Sequence, residues 1–161
     1  MDTTNRAILE KIEQYIDNQF LNSTPDSLYE PIRYIMKLGG KRIRPLLLIL
    51  GYRLFKDDIE AVLPQGYAIE LFHNFSLVHD DIMDQAPLRR GLPTVHLKFG
   101  TNTGILSGDV MLIYVYQYLL KNVTTNTAEI LDTFNKTAIG VCEGQQLDMD
   151  FETSENVSIE D

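Results

Sequence analysis

GYAIELFHNFSLVHDDIMD, residues 66–84, decides the fold. Through Met83 the run is apolar except at Glu70, His73, Asn74, Ser76, His79, Asp80 and Asp81, and Asp84 closes it. Such a run predicts a long, mostly buried helix with acids gathered at one end. That is a common way to build a polar site inside a helical bundle.

The acids themselves, Asp80, Asp81 and Asp84, fall within five residues. On a helix Asp80 and Asp84 stand at i and i+4 and share a face, and Asp81 lies about 100° round from Asp80. Like charges this close repel, so a stable fold needs a neutralising partner. Mg²⁺ takes carboxylate oxygens and keeps room for substrate phosphates. Arg89 and Arg90 follow in LRRGLPTVH, residues 88–96, and supply forked donors for phosphate oxygens. Acids, metal and arginines together read as a diphosphate site. A DDxxD string alone is more often a solvated helix end, but the apolar surroundings argue against that here.

A second cluster is GGKRIRP, residues 39–45. Its glycines let the backbone approach a ligand. Lys41, Arg42 and Arg44 crowd three positive charges near the predicted start of a helix, which itself attracts anions. Alone this reads as a basic connecting turn; beside the acidic cluster it reads as a second phosphate site. His73 stands seven residues before Asp80, shares its face and is placed to donate to a phosphate. A single buried His is more often a satisfied core residue. Gln145 and Asp148, at i and i+3 on a later apolar helix, either line the same cavity or face solvent.

With 161 residues and 44% hydrophobic content the chain can bury a real core. A net charge of −9 argues against general nucleic-acid binding. The single cysteine, Cys142, excludes an intrachain disulfide, weakly favours a reducing compartment and is expected to be buried. The longest unbroken apolar stretch, Pro45–Gly51, is too short to span a membrane, and the N-terminus lacks signal-peptide order. A soluble cytoplasmic protein is the expectation.

Elsewhere the pattern predicts helices over 5–21, from about Pro25 to Gly39, from about Pro45 to Phe55, 102–121 and 124–151. Gln85–Gly100, with two prolines and two glycines, reads as a loop carrying function. Signals for β-structure are few, and an all-α bundle is the expected class. Ser158 and Asp161 form a capping pattern, so 156–161 reads as the opening of another helix. An acidic tail is the bland alternative.

These motifs together resemble the polyprenyl synthetase family, the trans-isoprenyl diphosphate synthases. The resemblance rests on GGKRIRP, on HNFSLVHDDIMD followed by LRRG, on SGD at 107–109 and on GQQLDMD at 144–150, in family order across 39–150. It implies an all-α isoprenoid-synthase bundle around a central cavity, residues 1–161 being the N-terminal part of one polyprenyl synthetase domain, cut after about half the fold. It implies a short-chain trans-prenyltransferase, making farnesyl or geranylgeranyl diphosphate from isopentenyl diphosphate and an allylic diphosphate, and working as a homodimer. By motif match Asp80 and Asp84 would bind Mg²⁺ with Asp81 in support, and Arg89 would hold the allylic diphosphate. Lys41, Arg44, His73 and Arg90 would hold isopentenyl diphosphate, and Gln145 and Asp148 would lie by the reacting carbons. Phe75, with Ser76 beside it, would set chain length. The family's second aspartate-rich motif is absent from this sequence.

Two rivals are weighed: a non-catalytic partner of a longer synthase, and a terpene cyclase, which shares the fold and an aspartate-rich motif. GGKRIRP argues against the cyclase, which has no isopentenyl diphosphate to hold.

Overall fold

A computed structural model describes residues 3–20, 22–154 and 158. The capping pattern at Ser158–Asp161 lies outside the described residues, Ser158 apart. The chain divides into two compact units, Met1–Asn122 and Val123–Asp161.

The first unit is a helical bundle built on one central helix. In chain order it contains α1 (Thr3–Asp17), α2 (Asp26–Lys37), α3 (Ile43–Arg53), a 3-10 turn (Ile59–Val62), α4 (Leu63–Met83), β1 (Leu88–Arg89), β2 (Leu92–Pro93), α5 (Val95–Phe99) and α6 (Thr101–Leu119). The all-α expectation holds. Helix α1 presents Ile8, Ile12 and Ile16 inward at four-residue spacing, the stripe an amphipathic helix needs. Ile32, Ile35 and Met36 of α2, Ile49 of α3, Leu71 and Val78 of α4, and Met111 and Val115 of α6 complete the core.

Helix α4 starts three residues before the predicted Gly66, with Pro64 in its first turn, where the missing N–H costs nothing. It packs most extensively on α6, and two glycines of α6 set how close the helices come. A Cβ on Gly104 would stand 3.1 Å from Ile82 Cδ1, and one on Gly108 would overlap His79 Nε2. Between them Ser107 is buried and donates to the Leu28 carbonyl at 2.9 Å, fastening α6 to α2.

The segment 85–100 is more ordered than its proline and glycine content suggests. Arg89 pairs with Leu92 and Leu88 with Pro93 in a two-stranded antiparallel ribbon. Its two turn residues, Arg90 and Gly91, have φ of +54° and +80°. This is the primed turn that matches strand twist, and Gly91 takes that conformation without a Cβ penalty. Thr94 closes the base, its hydroxyl donating to the Ala86 carbonyl at 2.8 Å. Helix α5 follows at once.

Arg42 departs most from the sequence reading. It precedes α3 in a left-handed conformation, φ +47°, with its side chain buried rather than presented to a ligand. Nη1 donates to Glu70 Oε1 at 2.7 Å, Nε to Glu13 Oε1 at 2.8 Å and Nη2 to the Met36 carbonyl at 2.7 Å. One side chain thus joins α1, α2 and α4 at the start of α3. The crowd of three cations reduces to two, Lys41 and Arg44, because a buried Glu70 requires a partner.

The second unit holds α7 (Thr127–Thr153). Most of its length is exposed, including Ile139, Val141, Leu147 and Met149. Cys142 is exposed too, which corrects the expected burial.

Gly108 yields a test of the α4–α6 contact. Gly108→Val drives branched methyls into the His79 ring and is expected to destabilise the chain by about 1–3 kcal/mol. Gly104→Ala meets only the flexible tip of Ile82 and should cost less. Urea unfolding midpoints of the two variants give the order; a Gly108→Val midpoint at or above that of Gly104→Ala would refute the close-approach role.

Candidate functional site

Three consecutive turns of α4 carry the polar groups that its apolar neighbours leave room for. Glu70, His73 and Asn74 stand on one turn, Ser76 follows, and Asp80 and Asp81 close the last full turn, with Asp84 as the C-cap residue. The site is built where this end of α4 meets the Gly39–Arg44 connection and the β1–β2 ribbon.

The acidic half is already neutralised in part by protein. Arg89 Nε donates to Asp81 Oδ2 at 2.8 Å and its Nη2 to Asp81 Oδ1 at 2.7 Å, a forked pair. The same Nη2 reaches Asp80 Oδ2 at 3.3 Å. The Asp81 side chain is 1% exposed, against 25% for Asp80. Asp84 is exposed. The three acids therefore differ: Asp81 points inward to Arg89, while Asp80 and Asp84 remain at the surface one turn apart. Hydrogen bonding to Asp81 raises the Arg89 pKa, helped by the charges of Asp80 and Asp84 and opposed by burial.

Oxygen donors at i and i+4 suit Mg²⁺, which binds through one or two carboxylates and fills its remaining positions with water and phosphate. Among the described residues no group of three His, Cys, Asp or Glu is arranged to hold a metal ion. The donor set thus fits an ion shared with a phosphate ligand rather than one caged by protein.

The basic half is assembled from two loops. The Arg90 guanidinium lies over Gly40: a Cβ there would be 3.2 Å from both Nη1 and Nη2. Gly40 has φ +151° and precedes Lys41. Lys41, Arg44 and Arg90 are exposed and make no ion pair or hydrogen bond among the described residues, in contrast to Arg42 and Arg89. Burial lowers the Arg90 pKa, and the charges of Arg42 and Arg89 lower it further against the opposing pull of Glu70. His73 belongs to the same cluster. Burial lowers its pKa first, and Arg44, Arg90 and Arg89 add to this against Glu70, so the imidazole is neutral at pH 7.

Ser76 occupies Asp80's stripe one turn earlier and donates to the His73 carbonyl at 2.8 Å. Phe75 lies beside that stripe, its ring centroid 5.8 Å from Phe72 and 4.8 Å from His79. On α7, Gln145 is partly buried and Asp148 exposed. Glu70 and Asn74 were not singled out by the sequence as site residues. Their signal was burial of polar groups in an apolar run; Asn74 Nδ2 donates to the Glu70 carbonyl at 2.8 Å, while its Oδ1 is buried without a partner among the described residues.

The low His73 pKa has a definite consequence. The folded chain favours neutral imidazole, so this group's contribution to stability is present above pH 6.5 and is lost as pH falls through the lower folded value. Histidine titration by NMR should place His73 below 6.5, and Arg44→Ala should move it upward. An unchanged midpoint in that variant would separate His73 from the cation cluster.

The polyprenyl synthetase family model matches residues 25–161. The geranylgeranyl diphosphate synthase of Methanosarcina mazei is 42% identical over 149 residues, 91% of this chain and 46% of the relative. The short chain isoprenyl diphosphate synthase of Methanocaldococcus jannaschii is 42% identical over 153 residues, 92% of this chain and 45% of the relative. A crystal structure of a geranylgeranyl pyrophosphate synthase superposes with a TM-score of 0.92 at 42% identity, covering 99% of this chain and 48% of that one. The geranylgeranyl pyrophosphate synthetase from Pyrococcus horikoshii does so with a TM-score of 0.88 at 36% identity, covering 97% and 49%. The chain spans about half the length of the curated relatives it matches.

Proposed function

Because the chain belongs to the polyprenyl synthetase family, we propose that it carries the isopentenyl diphosphate subsite and the first metal-binding acids of a short-chain trans-prenyltransferase. The reaction joins isopentenyl diphosphate to an allylic diphosphate and gives farnesyl or geranylgeranyl diphosphate. The observation that carries this reading is that Arg44 and Arg90 face a neutral His73 and Arg90 lies over Gly40, next to Lys41, while all three cations are without ion pairs among the described residues. Unpaired cations repel one another, so their grouping is best explained by an anion they bind together.

In this reading Lys41, Arg44 and Arg90 hold the diphosphate of isopentenyl diphosphate, and the His73 N–H donates to one of its oxygens. Asp80 and Asp84 would hold Mg²⁺, which when bound stabilises the negative charge on the departing allylic diphosphate. Arg89 holds that diphosphate from the protein side, its guanidinium oriented by Asp81. Gln145 and Asp148 keep the role beside the reacting carbons that the motif match implies. The apolar face of α4 shields an allylic cation from water. Homodimerisation and a cytoplasmic setting belong to the same proposal. A second reading is a non-catalytic subunit that binds these ligands for a longer synthase.

The first test is calorimetric binding of isopentenyl diphosphate, followed by incubation with Mg²⁺, labelled isopentenyl diphosphate and allylic primers. Binding is expected, with Arg44→Ala and Arg90→Ala each weakening it by about tenfold or more, the value of one charge-assisted hydrogen bond. Failure of the unaltered chain to bind would overturn the proposal. Binding without a prenyl product would favour the non-catalytic reading.

Product length gives a second test. In the catalytically active form of the enzyme, Phe75→Ala is expected to lengthen the prenyl chain by at least one isoprene unit, read by reversed-phase chromatography. Unchanged product sizes would remove Phe75 from chain-length control.

A further inference from the structure

We propose that Arg42 is a positioning residue for the diphosphate subsite: it touches no ligand, and its buried fork fixes the Gly39–Arg44 connection so that Gly40, Lys41 and Arg44 present one anion-binding surface to Arg90. This deepens the proposed function and rests on it.

The geometry runs from the inside outward. The Arg42 side chain is 2% exposed and that of Glu70 4%. Their 2.7 Å bond, with the donations to Glu13 and the Met36 carbonyl, gives the guanidinium partners on three separate helices. A left-handed residue anchored by its side chain in this way allows its loop little freedom. Two residues earlier Gly40 offers its bare face to the Arg90 guanidinium, and a Cβ there, 3.2 Å from Nη1 and Nη2, would push it back by a few tenths of an ångström. Lys41 immediately precedes Arg42 and Arg44 follows two residues later, both exposed. The alternation of exposed, buried, exposed cations places two charges on the ligand side because the middle one is held below.

Glu70 extends the constraint to the helix. Its Oε1 also accepts from Asn74 Nδ2 at 3.2 Å, one turn along α4. His73 lies on that same turn, between Glu70 and Asn74 in sequence. The loop cations and the helix imidazole are thus referred to one buried carboxylate. A Lys at position 42 would keep the charge but could not reproduce a planar fork directed to Glu13, Glu70 and a carbonyl together.

The test uses inorganic pyrophosphate and isopentenyl diphosphate as probes in calorimetry, with far-ultraviolet circular dichroism confirming that each variant is folded at the working temperature. Arg42→Lys is expected to weaken both ligands about tenfold, the scale of a small misplacement of binding groups. The His73 midpoint should also rise, because Arg44 and Arg90, which face it together with the Asp81-held Arg89, are no longer held in place against the opposing Glu70. A stabilising role alone would leave that midpoint where it is. Should Arg42→Lys fail to fold, Glu13→Gln, which weakens the half-exposed side of the fork, and Gly40→Ala, which displaces Arg90, carry the same expectation. Unaltered affinity together with an unaltered His73 midpoint in the folded variants overturns the positioning role. Absence of pyrophosphate and isopentenyl diphosphate binding by the unaltered chain, or retention of full affinity by Arg44→Ala, instead overturns the subsite reading itself.

Discussion

A guanidinium and a carboxylate removed from water hold this bundle in register. Burial alone lowers the pKa of Arg42; its hydrogen bonds to Glu13 and Glu70 outweigh it, and the net direction is upward. The balance matters because a buried ion pair is not stabilising by itself. Desolvation of both charges opposes the attraction, and only further hydrogen bonds tip the sum. Here those bonds come from Glu13, the Met36 carbonyl and Asn74. Removal of one partner from such a pair leaves an uncompensated charge, at a cost of about 3–5 kcal/mol. The helices that meet at Arg42 are the ones that aim His73, Lys41 and Arg44.

The acidic end of α4 follows the same electrostatic logic with the signs exchanged. Asp81 is as deeply buried as Glu70, and Arg89 answers it as Arg42 answers Glu70. In each cluster one charge of the group is turned inward and paired, and its neighbours are left at the surface. The inward charge fixes geometry, and in the proposed function the outward charges are the ones that meet ligands. The two clusters together explain how a chain with net charge −9 can display a compact basic patch.

Much of this was legible in sequence. The period of apolar residues in α1, the glycines ending α2 and the apolar run of α4 gave the helices to within a few residues, because each signal is local. GGKRIRP and DDIMD gave the two charge clusters. What the sequence could not give was partnership. Nothing local distinguishes Arg42 from Lys41 and Arg44, or Asp81 from Asp80; burial sorts them, and burial depends on elements 28 residues apart for Arg42 and Glu70. The ribbon was hidden for a similar reason. Two strands of two residues carry no periodicity, and the primed turn uses Arg at a position where Asn or Gly is the usual signal. Cys142 was misjudged because apolar neighbours in sequence need not be covered in space.

The tight turn at Arg90–Gly91 sends adjacent arginines in different directions. Arg89 reaches back to the carboxylates of α4, and Arg90 reaches across to Gly40. The spacing between the two guanidinium groups is therefore a property of the backbone, one peptide unit set by the ribbon's register, rather than of flexible side chains. Such a ruler has no intermediate settings. Substitutions leave that spacing alone, but a one-residue insertion or deletion in the ribbon would exchange the inward and outward arginines at a stroke.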